Sequence, residues 1–197
     1  KKILNYLYTL KSQPENAVIS GQFGAYGSGT SSTTAQAQLD KIYTQTGKYP
    51  GMTGVDYDRW DMFDLNDFTD PNNWLIQKWN EGMLVNVSWH AENPWTGRDS
   101  TNVRYGTIAD IYNPATKAGA RWHQQLDNIA VGLQQLEDAG VTVIFRPFHE
   151  MNGGWFWWSF FYQNQYHPED YKQLWTYTHN YFTNVKGLDN ILWAYSP

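Results

Sequence analysis

The segment Val143 to Trp158, VIFRPFHEMNGGWFWW, carries the residues best suited to chemistry. An apolar run ends in Arg146, His149 and Glu150, and two glycines and four clustered aromatic residues follow. A carboxylate set among Trp and Phe is expected to be partly desolvated, and desolvation raises the pKa of a carboxyl group. Glu150 could then hold a proton near neutral pH and deliver it to a leaving oxygen. The competing use of Glu150 is a plain ion pair with Arg146. His149 and Glu150 do not announce zinc. A zincin helix needs a second histidine four residues after the first, and Gly153 stands there. No metal and no cofactor are expected.

A second segment, VSWHAENPW from Val87 to Trp95, places His90 and Glu92 after an apolar stretch, with Trp89 and Trp95 close by. It reads as a polar contact beside an aromatic wall, or as an ordered loop with Trp95 buried. Asp56 and Tyr57 in GVDYDRW allow the same two readings, while Asp58 and Asp61 are expected to face solvent or cap a turn. His123, His167 and His179 fall in helical positions and are expected at the surface. The glycine-rich GQFGAYGSG lacks both the Lys-Ser/Thr ending and the G-x-G-x-x-G spacing of a phosphate cradle. Asn86-Val87-Ser88 fits a glycosylation acceptor but lies inside an expected strand.

Composition narrows the ligand. Aromatic residues make up 17% of the 197, with 11 Trp and 14 Tyr. A buried Trp needs a partner for its indole N–H. Many Trp near polar loop residues therefore suggest platforms that stack on flat apolar faces, as pyranose rings present. Bases present such faces too, but a net charge of −5 with scattered Lys and Arg argues against nucleic acid. No apolar run is long enough to span a membrane. The absence of cysteine excludes disulfides and thiolate metal sites and leaves the redox compartment open. No secretory leader is visible at the start.

These residues must be positioned by alternating strands and helices in a single domain, residues 1–197. Helix is expected from Ile3 to Leu10, from Thr34 to Thr46 with Gly47 closing it, and from Asp70-Pro71 to Gly82. Another begins near Asn113-Pro114 and ends at Gly140. Its Trp122, Leu126, Ile129, Leu133 and Leu136 share one face. His167-Pro168 opens the last, to about Val185. Strands are expected at Ala17–Phe23, Gly51–Tyr57, Met83–Trp89, Val141–Phe148 and Asn190–Ser196, with a long loop from His90 to Asn113. The near-continuous apolar run of Val141–Phe148 suggests helices on both faces of the sheet. Alternation of this kind makes a parallel sheet, and Gln22, Asp56, Tyr57, Trp89, His90, His149 and Glu150 gather just after its strands. A β/α barrel builds its site from these strand ends. A doubly wound open sheet does the same at a switch point.

RPFHEMNGGWFWW resembles the segment around the acid/base glutamate of glycoside hydrolase family 26, chiefly β-mannanases with a few lichenases. ISGQFG, GVDYDRW, WHAENPW and ILWAYSP are similar to the family's strands in order. The resemblance spans the chain. It implies a (β/α)8 barrel, no cofactor, and endo attack on β-1,4-mannan with retention. It makes Glu150 the acid/base, His149 its neighbour in the site and Trp155 a sugar-contacting ring. His90 falls at a subsite histidine, and Trp95 and Tyr57 are expected to touch substrate. A β-1,3-1,4-glucanase and a non-catalytic carbohydrate binder remain open. The expected partner is a β-linked polysaccharide, with no nucleic acid, no membrane and a monomeric complete enzyme, secreted or at the cell surface. The family's second glutamate belongs to a seventh strand. The chain is therefore expected to cover about the first five β/α units, with the nucleophile beyond residue 197. Such a piece should be inactive and poorly stable alone.

Overall fold

The computed structural model describes residues 1–13, 18–24, 31–57 and 67–197. Five strands form one parallel sheet: β1 (Gly21–Phe23), β2 (Met52–Asp56), β3 (Leu84–Trp89), β4 (Val143–Pro147) and, after a short hairpin of β5 (Phe161–Tyr162) and β6 (Gln165–Tyr166), β7 (Ile191–Trp193). Their order in space is their order in sequence, β1-β2-β3-β4-β7. A doubly wound sheet reverses direction at its switch point. This sheet does not reverse, so the barrel pattern is the one present, and every strand end points the same way.

Helices α1 (Lys2–Leu10), α2 (Ser32–Thr46), α3 (Thr69–Asn80), α4 (Lys117–Asp138) and α5 (Pro168–Asn180) alternate with the strands. The expected stripe on α4 is the core: Trp122, Leu126, Ile129, Leu133 and Leu136 are fully buried. Trp122 stacks on Trp89 of β3 at 5.2 Å between ring centroids. The α4 start lies later than expected, at Lys117. Thr116 supplies the cap by accepting from the Gly119 N–H at 2.9 Å, a hydroxyl satisfying an otherwise orphan donor. The start of α3 also differs. Thr69 donates its N–H to Asp67, while Asp70 sits in the first turn and accepts from the Ser32 hydroxyl on α2 instead of capping its own helix. The long loop from His90 carries a 3-10 turn, Ile108–Tyr112, closed by a reciprocal Thr107–Asp110 box.

The sheet has two unlike faces, which corrects the expectation of an apolar sheet covered on both sides. Side chains alternate along a strand, and the register aligns them across it. Val55, Val87, Phe145 and Trp193 form one row, with Val85, Trp89 and Val143 on the same face. This face packs into the helices, as Phe145 against Phe182 shows. Gly54, Asn86 and Ile144 form a row on the other face, and Asp56, Ser88 and Arg146 form the next. Gly54 is required there, since a Cβ would come within 2.5 Å of the Asn86 carbonyl oxygen. Asn86 donates its amide to the Ile144 carbonyl at 2.8 Å, which makes its sequon a strand feature.

Among the histidines expected at the surface, all three are half-buried. His123 lies against Tyr177 with a 2.6 Å contact to its hydroxyl, and His179 packs on Trp193. Ala17, Asp58, Asp61 and most of the glycine-rich loop lie outside the described residues.

Candidate active site at the strand ends

Glu150 follows β4 by three residues, and the backbone that delivers it is strained. Phe148 and Glu150 both have φ of 55°, a left-handed conformation that side chains bearing a Cβ rarely adopt. The surroundings hold it. Tyr171 of α5 donates its hydroxyl to the Phe148 carbonyl at 3.1 Å, and the Trp158 indole donates to the His149 carbonyl at 2.8 Å. Gly153 N–H donates to the Glu150 carbonyl, and Glu150 N–H donates to the Ser196 carbonyl after β7. Every carbonyl of the 148–150 turn is thus engaged.

The Glu150 carboxylate is exposed rather than desolvated among the described residues, so the expected burial is not supplied by them. No ion pair joins it to Arg146 among the described residues. Its partner is the Trp155 indole, which donates to Oε2 at 3.0 Å. Trp155 is 56% exposed and is no core residue. Its ring lies against Gly153, where a Cβ would clash with the ring carbons. Glycine at that position is what lets the indole fold back onto the carboxylate.

His90 and His149 meet from different strand ends, Nε2 to Nε2 at 3.0 Å. Buried Asp56, at the end of β2, takes up His90. Its Oδ2 lies 2.7 Å from His90 Nδ1, and its Oδ1 accepts from His90 N–H at 3.1 Å. Ser88 Oγ donates to the same Oδ2. His149 is only 5% exposed. Burial, then the charges of His90 and Arg146, push its pKa down to about 4, with Asp56 and Glu150 acting in the opposite sense.

Arg104 fixes the aromatic loop. Buried itself, it donates to the Trp157 carbonyl at 3.0 Å and to the Ser159 carbonyl, pairs with Asp170 at 3.1 Å, and lies over the Tyr162 ring. Burial lowers its pKa and Asp170 opposes that. The sequence offers no sign of this role, because Arg104 lies outside every motif.

Tyr57 and Trp95, expected to touch substrate, are both engaged by protein groups among the described residues. Tyr57 is wholly buried, donates its hydroxyl to Asn72 at 2.6 Å and packs on Phe68. Burial pushes its phenol far above the ordinary value, so it is a core residue. Trp95 is half-buried edge-on against Trp157, with its indole nitrogen sealed from solvent, so it braces the loop. The structure brings together Glu150, Trp155, His149 and His90, and adds Asp56 and Ser88.

A sequentially ordered parallel β/α sheet with a tethered carboxylate and an exposed Trp at its strand ends has the architecture of a β/α-barrel enzyme. The whole chain, residues 1–197, matches the model of glycosyl hydrolase family 26. The chain belongs to that family. It is 42% identical to a mannan endo-1,4-beta-mannosidase of Bacillus subtilis over all of this chain and 56% of the relative. Against one of Bifidobacterium adolescentis it is 31% identical over 89% of this chain and 18% of that one. The solved structure of a Bacillus subtilis mannanase superposes with a TM-score of 0.89 at 37% identity, covering all of this chain and 61% of that one. The chain thus spans a little over half the length of the Bacillus subtilis curated relatives it matches.

Proposed function

We propose that the protein is a retaining endo-β-1,4-mannanase in which Glu150 is the general acid/base. The observation that carries this reading is the placement of Glu150 on a strained turn at the end of β4, hydrogen-bonded to an exposed Trp155. Relatives named as mannan endo-1,4-beta-mannosidases support the choice of substrate. Glu150 protonates the glycosidic oxygen while a second carboxylate attacks the anomeric carbon. Water then hydrolyses the glycosyl-enzyme with Glu150 as base. The two carboxyl groups must stand about 5–5.5 Å apart. Asp56 is ill suited to the second role, since both its oxygens already accept hydrogen bonds from Ser88 and His90. The resemblance assigns it to a glutamate on a later strand of the complete enzyme. Trp155 stacks on a sugar ring, and His90 and His149 line the subsite beside Glu150. A polymeric substrate suits an enzyme that works outside the cell or on its surface.

In the full-length gene product, Glu150→Ala should cut mannan hydrolysis by about 10²–10⁴-fold. A substrate with a good leaving group should suffer less in the first step, and azide should partly restore turnover in the second. An Ala variant with wild-type activity on mannan would remove Glu150 from the mechanism.

A further inference from the structure

We propose that Asp56 is a positioning residue which, through His90, decides which ring nitrogen of His149 carries the proton. Its bearing on glycoside cleavage rests on the function proposed above, whereas the proton arrangement itself does not.

The argument starts from the acceptor. An ionised carboxylate only accepts hydrogen bonds. Asp56 takes one from Ser88 Oγ, one from the His90 N–H and one from His90 Nδ1 at 2.7 Å. His90 therefore keeps a hydrogen on Nδ1, and its Nε2 is turned to His149 Nε2 at 3.0 Å. One hydrogen lies between those two nitrogens. When His90 is neutral, that hydrogen belongs to His149 Nε2, and His149 Nδ1 is a bare acceptor. When His90 gains a proton from solution, the shared hydrogen is its own. His149 then accepts at Nε2 and carries its hydrogen on Nδ1, as a donor. His149 is neutral in both states, because burial and its cationic neighbours oppose its charge. A second ring nitrogen reports the charge on the first ring without being charged itself.

His149 Nδ1 is buried and has no hydrogen-bond partner among the described residues. It belongs to the residue that precedes Glu150. This nitrogen therefore changes from acceptor to donor as His90 gains its proton, and Asp56 sets the pH at which that happens. The charged groups that act on His149 among the described residues, besides His90, are Asp56 from β2, Arg146 from β4 and Glu150 beyond it, and Asp56 is also the carboxylate on His90 Nδ1. The aromatic loop contributes the rings of Phe156 and Trp158.

The test is a pH titration of ¹⁵N-histidine-labelled protein, wild type and Asp56→Asn, followed by multiple-bond ¹H–¹⁵N spectra that distinguish the two ring nitrogens. In the wild type, His90 Nδ1 should stay protonated from pH 5 to 9. Across the His90 transition, the His149 hydrogen should pass from Nε2 at high pH to Nδ1 at low pH while that ring stays neutral. In Asp56→Asn the His90 midpoint should fall by a unit or more, a tenfold loss of proton affinity. In the full-length enzyme, whatever step the pH profile of kcat on mannan takes from His90 should move to lower pH by the same amount. A His149 hydrogen that stays on one nitrogen through the wild-type titration would overturn the proposal, even if the variant does not fold. So would an unchanged His90 midpoint in folded Asp56→Asn. Neither spectroscopic result depends on cleavage of mannan, so failure of the functional reading shows up separately.

Discussion

The neutral, buried state of His149 has a cost that depends on pH. Its folded pKa of about 4 lies below the ordinary histidine value of about 6.5. Between those two pH values the unfolded chain binds more protons than the folded one, so stability falls as pH drops through that window and is fully present above it. The loss amounts to at most about 3 kcal/mol. His149→Asn removes this contribution. Denaturant unfolding at pH 7 and pH 4.5 should show the wild type losing about 2–3 kcal/mol more than the variant on acidification. Equal losses would mean that the burial of His149 is not what couples folding to protons here. At this scale the sequence displayed Glu150, Trp155, His149 and His90, because a short motif or a strand end marks each of them. It did not display the link through Asp56 and Ser88. The partners come from β2 and β3, and side-chain hydrogen bonds across strands leave no local pattern. The direction of Tyr57 was not legible for a related reason: a strand-end tyrosine can turn outward to a ligand or inward to Asn72, and spacing alone does not choose.

The elements around the site divide the work between a stiff sheet and a loop held by a buried cation. Arg104 fixes two backbone carbonyls of the Trp155 loop and an acid on α5 at once. Arg104→Met keeps most of the stem but leaves those carbonyls and Asp170 without their donor. The expected cost is about 3 kcal/mol, the lower end for breaking a buried pair, because Asp170 keeps some contact with water. Hydrogen exchange should show faster opening of residues 155–160 in this variant while β3 and β4 stay protected. Uniformly faster exchange would mean that Arg104 supports the whole fold instead. Helices and strands were legible where apolar residues recur with a clear period, as on α4, and where Gly140 or Gly47 marks an end. The β5–β6 hairpin was not. Its turn places Gln163 and Asn164 at positive φ, and Gln-Asn lacks the glycine that usually marks such a turn.

Across the whole molecule, adjacent residues of one strand serve opposite purposes. Phe145 is fully buried among Trp89, Phe182 and Trp193, and Phe145→Ala should cost about 3–5 kcal/mol and lower the melting temperature. Arg146, one position on, shares the other face with Asp56 and Ser88. Arg146→Met should change stability by less than about 1 kcal/mol and slow mannan cleavage about tenfold. Calorimetry and kinetics on the two variants check the division, and similar melting losses in both would erase it. The parallel sheet was legible from the alternation of elements and the barrel from the family resemblance; the polarity of one face was not, because Arg146 sits in an otherwise apolar run. The order of strands also has a consequence in time. Each strand pairs with the one made before it, roughly thirty to sixty residues earlier, and loop-closure entropy rises only slowly over that range. On a ribosome, every strand from β2 onward emerges after its first neighbour has left the exit tunnel or is leaving it. The sheet can therefore grow in the direction of synthesis, with β1 holding one edge and the newest strand forming the other, which moves forward as translation proceeds.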